Sequence, residues 1–272
     1  MNIVKLNNGV EMPQLGFGVW QVPDAEATPA VSEAIKAGYR SIDTAAIYGN
    51  ESGVGAALGT VDRDELFITT KLWNADQGYD STLRAFDESL RKLGLDVLDL
   101  YLIHWPTPAR ELYVDTWKAF VELQKEGRVR AIGVSNFQPA HLRRLIDETG
   151  VVPAVNQVEL HPYLQQSELR AFHAEHGVQT EAWSPLGQGG VLLSDPVVTE
   201  IAARHHRSAA QIVLRWHLQL GNVVIPKSVT PARIRENIAV FDFELSAEEL
   251  AALSTLDRGG RIGPNPDEFN QA

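Results

Sequence analysis

Four residues suited to proton chemistry stand at or just after the ends of apolar, β-rich runs. Asp43 closes one run and Tyr48 follows it by five residues. Lys71 closes the next run, and His104 the one after that. A phenol titrates near pH 10, so Tyr48 alone would be a weak acid at neutral pH. A neighbouring ammonium favours the phenolate and lowers that value. Asp43 could hold Lys71 charged and oriented by an ion pair. His104 could hydrogen-bond a substrate oxygen or share the proton with Tyr48. Together the four suit protonation of a carbonyl oxygen, a general acid step worth roughly 10² to 10⁴ in rate. Taken singly, each has an ordinary structural role. Lys71 could be a solvated strand end, Asp43 a cap or turn acceptor, Tyr48 a half-buried core aromatic, and His104 a hydrogen-bonded core histidine. Their coincidence at strand ends argues for a site. The sequence holds no GxSxG elbow and no HExxH pair as a rival system. His205-His206 and the pair His173/His176 lie in helical patterns and read as exposed faces rather than metal ligands, so no metal is expected.

The elements that must position these residues recur in a regular rhythm. Eight strand candidates lie at Leu15–Gly18, Tyr39–Asp43, Leu66–Lys71, Val97–His104, Val129–Ser135, Ala154–Glu159, Val178–Trp183 and Asn222–Ile225. Helical periodicity fills the intervals, for example at Ala25–Ala37, Ser81–Leu93 and Glu111–Glu126. Gly38, Gly94, Gly127, Gly150 and Gly177 stand where left-handed C-caps would end helices. Strands alternating with helices imply an α/β fold with a parallel sheet. Eight such units imply a closed (β/α)8 TIM barrel. An N-terminal β-hairpin is expected around Asn7-Asn8-Gly9. Two extra C-terminal helices are expected at Pro231–Val240 and Ser246–Leu256, the second opened by a capping box at Ser246 and Glu249. The interval from Trp183 to Asn222 reads as an inserted loop with one helical stretch, Pro196–His205. Gly259–Ala272 reads as an extended loop. No linker or repeat divides the chain, which reads as one domain over residues 1–272.

Barrels of this kind carry their sites at the C-terminal ends of the strands. Ser135-Asn136, Asn156-Gln157, Trp183 and Lys227-Ser228 therefore join the first four residues around one mouth. Protonating a carbonyl oxygen requires a hydride for the carbon. The Gly-x-Gly starts at Gly16 and Gly53 lack the third glycine of a dinucleotide fingerprint, with Gln21 and Leu58 in its place. A barrel instead holds phosphate at the loops after strands seven and eight. Those loops contain Gly187-Gln188-Gly189-Gly190 and the run from Pro226 through Lys227 and Ser228 to Arg233. Amides, a lysine, a hydroxyl and an arginine beside a helix N-terminus make a phosphate site. The ordinary alternative is a turn with a solvated basic flank.

Composition narrows the partners. Of 272 residues, 35 are acidic and 24 are Lys or Arg, a net charge of −11. That excludes nonspecific binding of nucleic acid or anionic membrane surfaces. With no cysteine, disulfides, thiolate catalysis and cysteine-held metals are excluded. No run approaches the roughly 20 apolar residues of a membrane span, and the N-terminus lacks a signal-like apolar stretch, so a cytoplasmic location is expected.

Several motifs in order carry a family resemblance. They are Gly38-Tyr39-Arg40-Ser41-Ile42-Asp43-Thr44-Ala45-Ala46-Ile47-Tyr48-Gly49-Asn50-Glu51, Thr69-Thr70-Lys71-Leu72-Trp73, Asp99-Leu100-Tyr101-Leu102-Ile103-His104-Trp105-Pro106, Ile132-Gly133-Val134-Ser135-Asn136-Phe137, Asn156-Gln157-Val158-Glu159-Leu160-His161-Pro162 and Ile225-Pro226-Lys227-Ser228. The chain resembles the aldo-keto reductases over nearly its whole length. Ala182-Trp183-Ser184-Pro185-Leu186-Gly187-Gln188-Gly189 is similar to the bacterial 2,5-diketo-D-gluconate reductase-like group. The resemblance implies a catalytic tetrad of Asp43, Tyr48, Lys71 and His104, with Tyr48 the proton donor. It implies NADPH as cofactor, a small carbonyl compound as substrate, and a monomer. Ser135, Asn136 and Gln157 would bind the nicotinamide carboxamide, and Trp183 would stack on the ring. Ser184, Leu186, Gly187 and Gln188 would line the pyrophosphate. Lys227, Ser228 and Arg233 would hold the 2′-phosphate, with Glu236 and Asn237 at the adenosine. Trp20, Trp73 and Trp105 would wall the substrate pocket, and the short loop at Pro106–Arg110 and short tail imply an open one. Two other readings stand beside it: an aldolase-type lyase with Lys71 as Schiff-base amine, and a cofactor-binding subunit without catalysis.

Overall fold

The computed structural model describes residues 2–272. β1 (Ile3–Lys5) and β2 (Glu11–Pro13) pair antiparallel, with Val4 opposite Met12. Gly9 holds φ at 88° in the turn between them, a conformation that costs glycine little. Eight parallel strands follow: β3 (Phe17–Gly18), β4 (Ser41–Asp43), β5 (Phe67–Leu72), β6 (Leu98–Ile103), β7 (Val129–Ser135), β8 (Val155–Glu159), β9 (Gln179–Trp183) and β10 (Val223–Val224), each beside its predecessor.

The ring closes between β10 and the chain entering β3. Val224 N–H donates to Gln14 O at 3.0 Å, Gly16 N–H to Val224 O at 2.8 Å, and Gly18 N–H to Pro226 O at 3.1 Å. The seam is tight. A Cβ on Gly16 would meet Ser41 Oγ at 2.9 Å, and one on Gly18 would meet Ile225 O at 3.0 Å.

Among the described residues ten helices surround the sheet: α1 (Asp24–Ala37), α2 (Glu51–Leu58), α3 (Tyr79–Leu93), α4 (Tyr113–Lys125), α5 (Pro139–Thr149), α6 (Ser167–His176), α7 (Pro196–His205), α8 (Ala209–Gln219), α9 (Pro231–Ile238) and α10 (Ala247–Ser254). The expected TIM barrel is present. In α3 the apolar stripe Phe86, Leu90 and Leu93 faces inward, and Gly94 ends the helix at φ 67°. Both C-terminal helices form where periodicity places them. α9 packs beside α1 and so completes the eighth strand–helix unit.

Where an inserted loop was expected after β9, a second helix, α8, follows α7. Ser208 and Gln211 cap it reciprocally. Its residues from Gln211 to Leu218 are all buried. A helix covered on every side shows no polar face, so its period is not legible in the sequence.

Strand side chains alternate between two cores. Ile68 and Leu72 point outward to the helices, while Phe67 joins Leu100, Leu102, Ala131, Val155 and Val223 inside the barrel. Leu6 and Met12 of the hairpin complete that inner cluster and stopper the N-terminal end. Burial of each such Leu or Phe is worth about 1.5–3 kcal/mol. The apolar plug leaves the opposite, C-terminal end for polar residues.

Candidate active site

Asp43 is the last residue of β4, and Lys71 projects from β5 into the barrel. His104 follows β6, and Tyr48 ends the short 3₁₀ turn Ala46–Tyr48, which Gly49 closes at φ 67°. The barrel brings all four together. Lys71 Nζ donates to Asp43 Oδ1 at 2.5 Å and to Thr44 O at 2.9 Å. The same nitrogen lies 5.2 Å from the centre of the Tyr48 ring. The His104 ring stands edge-on to Tyr48 at 5.7 Å and to Trp73 at 5.4 Å.

Burial and charge set the protonation states. Burial alone would pull the Lys71 ammonium down, but Asp43 and Tyr48 hold it above its ordinary value. Burial, then the Lys71 charge, pushes His104 well below the usual histidine range, leaving a neutral imidazole. Burial pushes the Tyr48 phenol up, Lys71 pulls it back, and Asp43 adds to the rise. The expected lowering by Lys71 is real, but desolvation outweighs it and the net direction is upward. Spacing in a sequence carries no measure of that desolvation.

A cavity of about 1190 Å³ opens over these strand ends. Asp43, Tyr48 and His104 line it with Trp20, Trp73 and Trp105. So do Ser135, Asn136, Gln157 and Trp183, and also Ser184, Leu186, Gln188, Lys227, Ser228, Arg233, Glu236 and Asn237. Lys71 is fully buried behind that wall. Gly187 does not line it. Its φ is 58°, and a Cβ there would meet Leu192 at 3.2 Å, so it shapes the turn.

Hydrogen bonds lock the wall. Asn136 sits at φ 64° and Ser184 at φ 47°, conformations that persist only where the surroundings impose them. Asn136 Nδ2 donates to His104 O at 3.0 Å, and Asn136 Oδ1 accepts from Trp183 Nε1 at 2.8 Å. Ser135 Oγ donates to Gln157 O at 2.7 Å. Gln157 Nε2 donates both to Asp43 Oδ2 at 2.8 Å and to Glu181 Oε2 at 2.9 Å.

Sequence reasoning missed Glu181, whose only signal is an acid at an inward position of a buried strand. It also missed Glu159, which holds the C-terminal tail. Glu159 Oε1 accepts from Ile262 N–H at 2.7 Å, and Oε2 from Gly263 N–H at 2.8 Å. His161 Nε2 lies 3.0 Å from Glu159 Oε1. These donors outweigh burial and hold the Glu159 carboxyl below its usual value. Ile262, Gly263 and Pro264 line the cavity. Gly263 passes so close to Trp183 that a Cβ would lie 2.5 Å from the indole. Further along, Phe269 packs on Trp105 at 4.5 Å, and Asn270 Oδ1 accepts from Ala109 N–H at 2.8 Å. The tail therefore crosses the mouth instead of leaving it open. His173 also departs from expectation. It is buried and bridges Asn156 Nδ2 at 2.9 Å and Thr180 Oγ1 at 2.8 Å.

Lys227 and Arg233 form no ion pair among the described residues, whereas nearby Arg235 pairs with Glu33 and Arg207 with Asp242. Arg233 lies in the first turn of α9, and Ser228 Oγ accepts from Thr230 N–H at 3.1 Å. Unpaired cations beside a helix N-terminus fit a phosphate group. Among the described residues no helix is long and apolar enough to cross a membrane.

A parallel barrel with this lysine-backed tyrosine at its mouth defines a class. Residues 13–258 match the model of the Aldo/keto reductase family, and the chain belongs to that family of oxidoreductases. It is 58% identical over 270 residues to an aldo-keto reductase of Mycobacterium sp. (strain KMS), with 98% of each chain covered. It is 56% identical over 270 residues to methylglyoxal reductase DkgA of Escherichia coli (strain K12), again covering 98% of each. A crystal structure of a Gox0644 mutant in complex with NADPH superposes with a TM-score of 0.96 at 55% identity, covering 98% of both chains.

Proposed function

We propose that this chain reduces aldehydes and ketones to alcohols, with Tyr48 delivering the proton to the carbonyl oxygen. The observation that carries this reading is the buried Lys71–Asp43 ion pair behind Tyr48, facing a cavity edged by unpaired Lys227 and Arg233. The cofactor is NADPH, which supplies the hydride when bound. Ser135, Asn136 and Gln157 would hold its carboxamide, and Trp183 its ring. Ser184, Leu186, Gln188 and the turn at Gly187 would hold the pyrophosphate. Lys227, Ser228 and Arg233 would hold the 2′-phosphate, with Glu236 and Asn237 beside the adenosine.

The proton leaves Tyr48 Oη, and the Lys71 ammonium stabilises the phenolate left behind. Asp43 keeps that ammonium charged. His104, a neutral imidazole, orients the carbonyl oxygen by hydrogen bonding and carries no titrating proton of its own near neutral pH. Trp20, Trp73 and Trp105 form the substrate wall. The substrates are dicarbonyls, aromatic aldehydes or keto-sugars, and the methylglyoxal reductase relatives support the first of these. The residues assigned to cofactor and substrate all lie on one barrel, and the chain is proposed to act as a single-domain monomer.

An aldolase-type reaction through Lys71 is disfavoured, because a buried, paired ammonium is a poor nucleophile. The test follows NADPH and NADH oxidation with methylglyoxal, benzaldehyde and a keto-sugar. Turnover is expected with NADPH in preference to NADH. Absence of turnover with every carbonyl would overturn the reading.

A further inference from the structure

We infer that Glu181 is a positioning residue for the proposed reduction, holding the Gln157 carboxamide in one orientation and tying the cofactor-facing wall to Asp43 and Lys71. The inference rests on the function proposed above.

The two hydrogens of the Gln157 amide meet two carboxyl groups, Asp43 Oδ2 at 2.8 Å and Glu181 Oε2 at 2.9 Å. The ionised Asp43 carboxylate only accepts, so the amide nitrogen must face inward. The amide oxygen is then left at the cavity wall as a fixed acceptor. With Asp43 alone, one amide hydrogen would lose its partner and the orientation would be less firmly held. Glu181 itself is fully buried, and its Oε1 has no hydrogen-bond partner among the described residues. A buried carboxyl that spends one oxygen on an amide and leaves the other unpaired is poorly arranged to carry a charge.

The surrounding charges agree. The ionisable groups that face Glu181 are Asp43 on β4 and Lys71 on β5. Gln157 on β8 and Val223 on β10 carry no charge. Two carboxylates beside one ammonium would leave an uncompensated negative charge in the barrel. Burial, then Asp43, pushes Glu181 up to about 8, against the opposing pull of Gln157 and Lys71. Near neutral pH it is therefore a neutral acid, and Lys71 belongs to Asp43. When Glu181 ionises, the added negative charge opposes proton release from Tyr48. Lys71 and Tyr48 titrate above their ordinary values and His104 well below its own, so none of them competes near pH 8.

The test compares Glu181→Gln and Glu181→Leu with the wild-type chain. NADPH affinity is read from quenching of tryptophan fluorescence, and kcat and KM are measured across pH. Glu181→Leu lets the Gln157 amide turn its oxygen away from the cofactor and is expected to weaken NADPH binding about 10-fold, the worth of the one hydrogen bond that oxygen would accept. Glu181→Gln keeps an acceptor and is expected to restore binding to within about threefold of wild type, a margin smaller than one ordinary hydrogen bond. The wild type should lose kcat as pH passes about 8, the value to which Glu181 is raised, and Glu181→Gln should lack that inflection. Wild-type NADPH affinity in Glu181→Leu overturns the inference. So does an inflection absent from the wild type or retained in Glu181→Gln. If Glu181→Leu fails to fold by circular dichroism, the glutamine variant decides alone. A wild type that binds no NADPH and reduces no carbonyl fails the proposed function itself, and this inference falls with it.

Discussion

The indole N–H of Trp183 donates to Asn136 Oδ1 at 2.8 Å, joining residues 47 positions apart. Asn136 also donates to the backbone of His104, so one side chain ties three strand ends of the barrel together. Replacing Asn136 with Ala removes these two bonds and a third to Ser135 Oγ, at about 1 kcal/mol each, and puts an alanine where φ is 64°. The variant is expected to melt several degrees lower and to show a raised KM for NADPH, as Trp183 loses its anchor. Thermal melts and cofactor titration check this.

Tyr48→Phe removes the proposed acid and leaves the ring. Its kcat is expected to fall about 10² to 10⁴-fold, with NADPH affinity near the wild-type value. Retained turnover would exclude Tyr48 as donor.

Lys227→Ala and Arg233→Ala each remove from the cavity edge a cation that has no ion-pair partner among the described residues. A charge-assisted bond to phosphate is worth about 1.5–3 kcal/mol, so the NADPH KM should rise roughly 10- to 100-fold. The NADH KM should barely move, since that cofactor has no 2′-phosphate. Equal effects on both cofactors would refute the assignment.

Glu159→Ala frees two backbone N–H groups of the tail. Hydrogen exchange at Ile262 and Gly263 is expected to quicken, and bulky aldehydes should gain relative to small ones. Unchanged protection at both amides would show that the tail is held by other contacts.

Acid stability should track buried histidines. Burial pushes both His173 and His217 down to about 3 from the ordinary value of 6.5. The unfolded chain binds these protons first, so their contribution is complete above pH 6.5 and drains as pH falls toward 3. Melting temperature should therefore drop between pH 7 and pH 5, and less steeply in His173→Gln. Equal slopes in the two proteins would remove His173 from the account.

The placement of Asp43, Lys71 and His104 at strand ends and of Tyr48 just beyond one was legible in the sequence, as was the eight-fold alternation that makes a barrel. Both follow from local rules: period-two burial, helical periodicity and glycine stops act within a few residues. The basic run from Lys227 to Arg233 was legible for the same reason, as contrast against an acidic chain. Tertiary structure alone decided the rest. Gln157 meets Asp43 across 114 positions and Glu181 across 24, because barrel closure points inward residues of separate strands at one axis. The inward burial of Glu181 and His173, the all-round burial of α8, and the tail's bonds to Glu159 depend on neighbours remote in the chain. The net rise of the Tyr48 phenol likewise comes from desolvation by surrounding walls, a quantity that exists only once those walls are assembled.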